Sequence, residues 1–148
     1  MATIKWAGWT SRGTVLTTEL NALANTGRSA AGTEVDNATN KDRWGKLELA
    51  VTFGGNTSAG SYVEIYMVTA PDGTNYEDGG DPLVSLSPGA HKLVDRIPLR
   101  ETTAYRVTGR TIPLEPAKTR FLLLNASGQA FPASGSTVTL YTTNEESS

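Results

Sequence analysis

The stretch KLELAVTF, residues 46–53, alternates polar and apolar side chains with a period of two. Its apolar side chains project from one side of an extended chain: Leu47, Leu49, Val51 and Phe53. This spacing predicts a β-strand with one buried face. The stretch YVEIYMVTA, residues 62–70, follows after the turn-rich residues 54–60 and has the same period. Together these two stretches indicate a fold built from half-buried strands.

Further strands are expected at residues 83–86, 92–99, 104–108, 119–125 and 136–143. The run FLLL, residues 121–124, is continuously apolar, which predicts an inner strand covered on both faces. Turn signals recur roughly every 8–12 residues, and no β-α-β alternation occurs. The sequence therefore predicts an all-β fold, an antiparallel β-sandwich or jelly roll of about seven or eight strands.

One short N-terminal helix is also expected. Leu16, Leu20 and Leu23 recur at spacings of four and three, which places them on one helical face. Thr17 or Thr18 can cap this helix near residues 17–26, and Gly27 follows its end. The predicted organisation is an N-terminal segment (1–15), a single jelly-roll domain (16–143) and a frayed polar tail (144–148).

Composition excludes several functional classes. The 148 residues include no cysteine and a single histidine, so a disulfide framework and a thiolate zinc site are ruled out. Thirteen basic and fifteen acidic residues give a net charge of −2, so neither nucleic acid nor an anionic membrane is an expected partner. No apolar run approaches the roughly 18 residues of a membrane span, and we expect neither a targeting segment nor a cofactor.

An acidic, glycine-rich loop carries the oxygen atoms that calcium prefers. Its polar residues are Asp72, Asn75, Glu77, Asp78 and Asp81. The ligand order of an EF-hand is absent, and turn geometry itself favours Asp, Asn and Gly. A solvated hairpin loop without a metal is the favoured interpretation.

Catalytic arrangements have little support. His91 could join Ser85 or Ser87 and Asp95 in a triad, but no Gly-x-Ser-x-Gly motif accompanies them. Glu64 and Asp95 could act as paired carboxylates, yet nothing in the sequence brings them together. An exposed histidine at a loop end is favoured, no catalytic residue is assigned, and we expect that the chain is not an enzyme.

Three tryptophans are the best candidates for partner binding. Trp6 and Trp9 lie outside the regular strand pattern, and Trp44 precedes the first clear strand. Tryptophans on a surface stack on sugars or anchor interfaces, although they can also plug the ends of a barrel. Arg12 adds a guanidinium suited to carboxylates. We predict that Trp6, Trp9, Arg12 and Trp44 contact a partner.

Three regions of the chain carry the patterns on which a family resemblance rests. The first is LNALAN (20–25), followed by SAA (29–31) and DN (36–37). The second is GSYVEIY (60–66), which runs into DGTNYEDGG (72–80). The third is FLLLNASG (121–128), with Ser134-Gly135 before the final strand. These turn and strand patterns together span most of the chain. They resemble those of small structural proteins encoded beside the major capsid protein in tailed bacteriophages.

The resemblance implies a jelly-roll cement or decoration protein on the outer capsid surface of the virion, made in the host cytoplasm. Such proteins are non-enzymatic and bridge subunits of the major capsid protein. The resemblance also implies a homo-oligomer, with a homodimer favoured over a trimer.

Two alternatives stay open from the residues alone. One is a virion β domain associated with the tail, collar or fibre. The other is a carbohydrate-binding module, which the sandwich pattern, the three tryptophans and the acidic loop would suit.

Overall fold

The computed structural model describes residues 3–77 and 88–147, and this part of the chain is almost entirely β-structure. It holds one short α-helix, α1 (Asn37–Asn40), and two 3₁₀ turns, Thr18–Leu20 and Ala90–Lys92. Its strands are β1 (Ile4–Trp6), β2 (Thr10–Leu16), β3 (Val35–Asp36), β4 (Trp44–Thr52), β5 (Tyr62–Ala70), β6 (Leu93–Pro98), β7 (Ala104–Thr108), β8 (Ile112–Pro113), β9 (Lys118–Ala126), β10 (Thr137–Thr143) and β11 (Glu145–Ser147). The all-β prediction is confirmed. The described residues contain more strands than expected because four of the strands are only two or three residues long.

Nine of these strands form two antiparallel sheets wound as a jelly roll. The β4 sheet has the order β2-β10-β4-β7, with β8 also paired to β4, and the β5 sheet has the order β3-β9-β5-β6. Their pairs nest along the chain, because β5 pairs with β6, β4 with β7, β3 with β9 and β2 with β10. This nesting is that of one long hairpin rolled into two facing sheets, which is the jelly-roll topology.

The main core lies between the two sheets and uses the alternation seen in the sequence. In β4, Leu47, Leu49 and Val51 are buried, whereas the residues between them are partly exposed. Val63 and Ile65 of β5 enter the same core from the facing sheet. Burial of these side chains supplies most of the driving force for folding.

β9 is an inner strand with both faces covered. Phe121 and Leu123 are fully buried in the core between the sheets. Leu122 projects from the other face and packs in a second cluster with Ala31. The prediction of a doubly covered strand at residues 121–124 is confirmed.

The outer face of the β4 sheet is more open than that of the β5 sheet. Side chains on this face are partly or fully exposed along β4, β7 and β10: Lys46, Glu48, Ala50, Arg106, Thr108, Thr137, Thr139 and Tyr141. The N-terminal residues cross one end of this face. Exposed side chains therefore gather at that end, as they do at binding surfaces.

The N-terminal helix expected near residues 17–26 does not form. Leu16 ends β2, and only Thr18–Leu20 make a single 3₁₀ turn. Ala22 has a φ of 52°, which interrupts any helical continuation. Leu16 and Leu20 are nevertheless fully buried. The leucine spacing identified core residues correctly. Leu16, however, reaches the core from a strand and not from a helix, because β2 pairs with β10.

The two ends of the described chain pair with each other. β1 runs antiparallel to β11, with Ile4 opposite Ser147 and Trp6 opposite Glu145. The prediction of a frayed tail at 144–148 is therefore wrong for Glu145–Ser147, because ladder hydrogen bonds hold these residues. β2 also crosses the boundary predicted between residues 15 and 16, because this strand is part of the β4 sheet.

The remaining strand predictions agree with the structure where it can be compared. Those at 62–70 and 104–108 coincide with β5 and β7, and those at 46–53, 92–99, 119–125 and 136–143 overlap β4, β6, β9 and β10. The strand expected at 83–86 lies outside the described residues. In the described part of the chain, no helix has the length and apolar content that crossing a membrane requires.

Candidate functional site

The terminal ribbon, formed by β1 and β11, is attached beside the start of β4 and the end of β10. The backbone N–H of Ala7 donates to the carbonyl of Asn144 at 2.7 Å, and the Thr143 hydroxyl donates to the Ala7 carbonyl at 2.6 Å. The Asn144 side chain accepts from the backbone N–H of Arg43 at 2.8 Å. These bonds fix the position of the ribbon relative to the β4 sheet.

The ribbon displays a tryptophan patch, which consists of Ile4, Trp6 and Trp44. Ile4 is 69% exposed and Trp6 is 57% exposed. They are two residues apart on β1, so both project from the same side of the strand. The Trp6 ring lies 5.7 Å from the Trp44 ring at an interplanar angle of 36°. Large apolar side chains grouped in this way mark an interaction surface.

One ion pair, Arg43–Glu145, borders the patch, and a second, Lys5–Glu146, lies on the opposite side of the ribbon. The Arg43 guanidinium lies 3.2 Å from the Glu145 carboxylate, and the Lys5 ammonium lies 3.7 Å from that of Glu146. All four side chains are substantially exposed, so these pairs contribute little to the stability of the fold. An apolar centre with a charged rim is the usual composition of a protein–protein interface.

The Arg12 side chain forms hydrogen bonds with other residues of this chain. Its guanidinium donates two hydrogen bonds to the buried carboxylate of Asp42, at 2.8 and 3.1 Å, and a third to the Thr142 hydroxyl at 3.2 Å. The Asn144 side-chain amide also donates to Asp42, at 3.1 Å. This partly buried network ties β2 to the start of β4 and the end of β10. A direct contact between Arg12 and a partner stays a prediction.

Trp9 stands apart from the patch and lines a shallow pocket on the outer face of the β4 sheet. The residue is 43% exposed, and the Lys46 ammonium lies over its ring, 5.1 Å from the centroid. The pocket has a volume of about 260 Å³. Its walls are Trp9, Lys46, Glu48, Thr108 and Tyr141. Two aromatic rings, two charged groups and two hydroxyls therefore meet at one place.

The acidic loop uses its described residues to build a turn. One oxygen of Asp72 accepts from the backbone N–H groups of Thr74 and Asn75, at 2.9 and 2.8 Å. These hydrogen bonds, that from Thr74 first, lower the pKa of Asp72. Glu77 accepts from Thr69 and pairs with Lys92. Within the described ranges no cluster of three or more metal-ligating side chains occurs, and Asp78 and Asp81 lie outside those ranges.

The carboxylates considered for catalysis lie on opposite faces of the β5 sheet. Glu64 is opposite Arg96 on the outer face, whereas Asp95 is opposite Ile65, whose side chain enters the core. Burial raises the pKa of Asp95, and a hydrogen bond from the Arg110 backbone N–H partly offsets this effect. The two carboxylates therefore cannot act on one bond.

His91 lies exposed in the second 3₁₀ turn, as the favoured interpretation of the sequence expected. Ser85 and Ser87, its possible partners in a triad, lie outside the described residues.

Several residues of the surface are not apparent from the sequence, among them Ile4, Lys46 and Tyr141. Ile4 was overlooked because β1 is only three residues long, although Ile4 and Trp6 do alternate with Lys5. Lys46 and Tyr141 are opposite each other only because β4 pairs with β10, a contact between residues far apart in the chain. The alternation within each strand showed which side chains face outward, but not which strands are neighbours.

No protein-family model matches the chain, and no curated protein matches it either. A chain of the semi-empty virus-like particle of the nodavirus of the giant freshwater prawn, Macrobrachium rosenbergii, is similar over 99% of this chain and 94% of its own length. The identity is 16% and the TM-score is 0.41. A protein from work on carbohydrate-binding modules of the β-sandwich superfamily matches with 12% identity and a TM-score of 0.29, over 99% of this chain and 56% of its own. Both scores are too low to support an argument about this chain.

Proposed function

We propose that this chain is a non-enzymatic structural protein of a bacteriophage virion, which decorates the outside of the capsid and cements subunits of the major capsid protein. Two observations make the proposal reasonable. The strand order is that of a jelly roll, an architecture that recurs among viral capsid domains. The resemblance to phage head proteins extends over most of the chain.

The tryptophan patch is the observation that carries the proposal. Ile4 and Trp6 leave most of their surface in water, and the ribbon that holds them is tied firmly to the β4 sheet. Tryptophan is among the residues that contribute most to binding energy at protein interfaces. A rigid apolar surface with a charged rim suits docking on another folded protein, and the capsid subunit is the partner we assign.

Bridging requires that one oligomer of the decoration protein contacts two capsid subunits. A two-fold homodimer would present two copies of the tryptophan patch, one for each subunit. Simultaneous engagement would raise the apparent affinity far above that of a single patch. We therefore favour a homodimer, with a trimer as the alternative.

The test is to mix the purified chain with undecorated, expanded capsids of its own phage and to measure co-sedimentation. Saturable binding at regular sites on the head, seen by electron cryo-microscopy, is the expected result. Failure to bind any expanded head would contradict the proposal. Antibody labelling of intact virions should mark the head, and labelling of the tail would support the tail, collar or fibre alternative instead.

Light scattering tests the oligomer separately. A homodimer should give twice the chain mass of 15.7 kDa at working concentrations. A mass that stays at the value of one chain across the concentration range would refute both the dimer and the trimer.

A further inference from the structure

The pocket beside Trp9 is built on paired strands, which gives it a defined shape. Lys46 of β4 lies opposite Tyr141 of β10, and Glu48 of β4 lies opposite Thr108 of β7. Side chains that are opposite each other on neighbouring strands lie close together on one face of the sheet. Binding groups held on strands are positioned more accurately than groups held on loops. The pocket is therefore organised before any ligand arrives.

The aromatic side chains give the pocket an apolar platform. Trp9 is 43% exposed, and Tyr141 is partly exposed beside it. The Lys46 ammonium, 5.1 Å from the centroid of the indole, restrains the ring through a cation–π contact. A sugar ring has one face of C–H bonds that packs well against such an exposed aromatic surface.

The polar side chains add both hydrogen-bond donors and acceptors. Glu48 accepts from the Arg106 Nε–H at 3.1 Å, which leaves the carboxylate with further acceptor sites. Lys46 supplies an ammonium donor, and Thr108 and Tyr141 supply hydroxyls that can donate or accept. Hydrogen bonds that involve a charged partner are the strong ones. A ligand with many hydroxyl groups could use all of them.

From this arrangement we propose that the pocket is a carbohydrate-binding subsite for one neutral sugar residue of the hexose type. Lys46 and Glu48 are the two charged residues that line the pocket, and their charges cancel, so the pocket does not select for a strongly anionic ligand. Its volume of about 260 Å³ lies just below the roughly 300 Å³ at which pockets for drug-sized ligands begin. One terminal or internal sugar ring fits this size better than a buried oligosaccharide.

The inference goes beyond the proposed capsid function and does not rest on it. Lys46 is two residues along β4 from Trp44, a distance of about 7 Å, so a protein docked on the tryptophan patch would cover the pocket. The free chain is therefore the right sample for the test. If sugar binding fails in that sample, the capsid proposal is unaffected.

The experiment is isothermal titration calorimetry of the full chain with glucose, galactose, mannose and N-acetylglucosamine, and with short oligomers of each. We expect saturable binding of at least one of these neutral sugars. Trp9→Ala and Tyr141→Ala should each weaken that binding about tenfold or more, as removal of a central aromatic contact does. Thr108→Val keeps the shape of an exposed side chain and removes its hydroxyl, so it should weaken sugar binding several-fold. This variant keeps the test valid even if the other two variants fold poorly.

Trp6→Ala is the matched control, because it removes an exposed tryptophan that does not line the pocket. Its affinity for the sugar should stay within about twofold of that of the unchanged chain. Either of two results would overturn the inference: no neutral sugar binds saturably, or Trp6→Ala weakens binding as much as Trp9→Ala. A parallel titration uses a sialic acid as the anionic comparison, and binding of that sugar alone would overturn the assignment to a neutral sugar.

Discussion

Replacing Trp6 by alanine should weaken capsid attachment strongly while it leaves the fold nearly as stable. Trp6 is 57% exposed. A tryptophan offers up to about 250 Å² of surface, so docking would cover roughly 140 Å² more of this side chain. At about 25 cal/mol per Å², this burial contributes about 3.5 kcal/mol. The half-saturation concentration for capsids should therefore rise roughly 300-fold. Loss of the Trp6–Trp44 contact should cost the free chain only about 1 kcal/mol.

The assay is titration of undecorated capsids with the chain, followed by sedimentation and quantification of the bound fraction. Ile4→Ala should weaken binding in the same direction, because Ile4 is 69% exposed on the same side of β1. Lys5→Ala is the matched control: its side chain projects from the other side of β1 and makes only an exposed ion pair with Glu146. Equal effects of Trp6→Ala and Lys5→Ala, or no effect of Trp6→Ala, would refute the assignment of the patch as the docking surface.

Three further predictions concern stability. Asn125→Ala should destabilise the fold by about 3 kcal/mol in urea denaturation, because the nitrogen of this fully buried side-chain amide lies 2.8–3.1 Å from three backbone carbonyl oxygens, which share its two N–H groups. A loss below about 1 kcal/mol would contradict this role. Burial raises the pKa of Asp95, because the folded state disfavours the charged carboxylate. The folded state is therefore most stable, as far as Asp95 is concerned, below the unfolded pKa of about 4, and it loses this stability as the pH rises through the folded-state pKa. Asp95→Asn should remove this dependence, so the variant's stability relative to the unchanged chain should be higher at about pH 7 than at about pH 4, and parallel pH profiles would be the opposing result. Gly32→Ala should destabilise by about 2 kcal/mol or more, since the added Cβ would lie 1.9 Å from the Val15 carbonyl oxygen; a melting temperature equal to that of the unchanged chain would speak against the close approach.

Much of the sheet structure could be read from short-range patterns. Residues 46–53, 62–70 and 104–108 alternate clearly, and each overlaps or coincides with a strand of the structure. Their alternation is local information, because side chains two apart on a strand always share a face. The apolar run at 121–124 was equally informative, since it predicted an inner strand without knowledge of its neighbours.

The N-terminal third was harder to predict because local and distant interactions compete there. Leu16, Leu20 and Leu23 have helical spacing, but a three-turn helix is only marginally stable without tertiary support. β2 instead gains a ladder with β10, more than a hundred residues further along the chain. The tail was expected to fray for the same reason, since its partner β1 lies at the other end of the sequence.

The candidate surface was recognised only in part. Contact of Trp6, Trp9 and Trp44 with a partner stays a prediction; the structure places Trp6 against Trp44, while Trp9 lines a separate pocket. Arg12 looked available for a partner, but Asp42, thirty residues away, accepts two of its hydrogen bonds. No property of either residue alone predicts that pairing.

The sequence by itself determined the class of fold and the faces of the main strands, because alternation and turn residues act over a few positions. Tertiary structure alone decided the nesting of the strands into a jelly roll, the ribbon that displays Ile4 and Trp6, and the meeting of Trp9 with Tyr141. These features depend on pairing between distant segments, and such pairing is selected by the burial and hydrogen bonding of the whole chain.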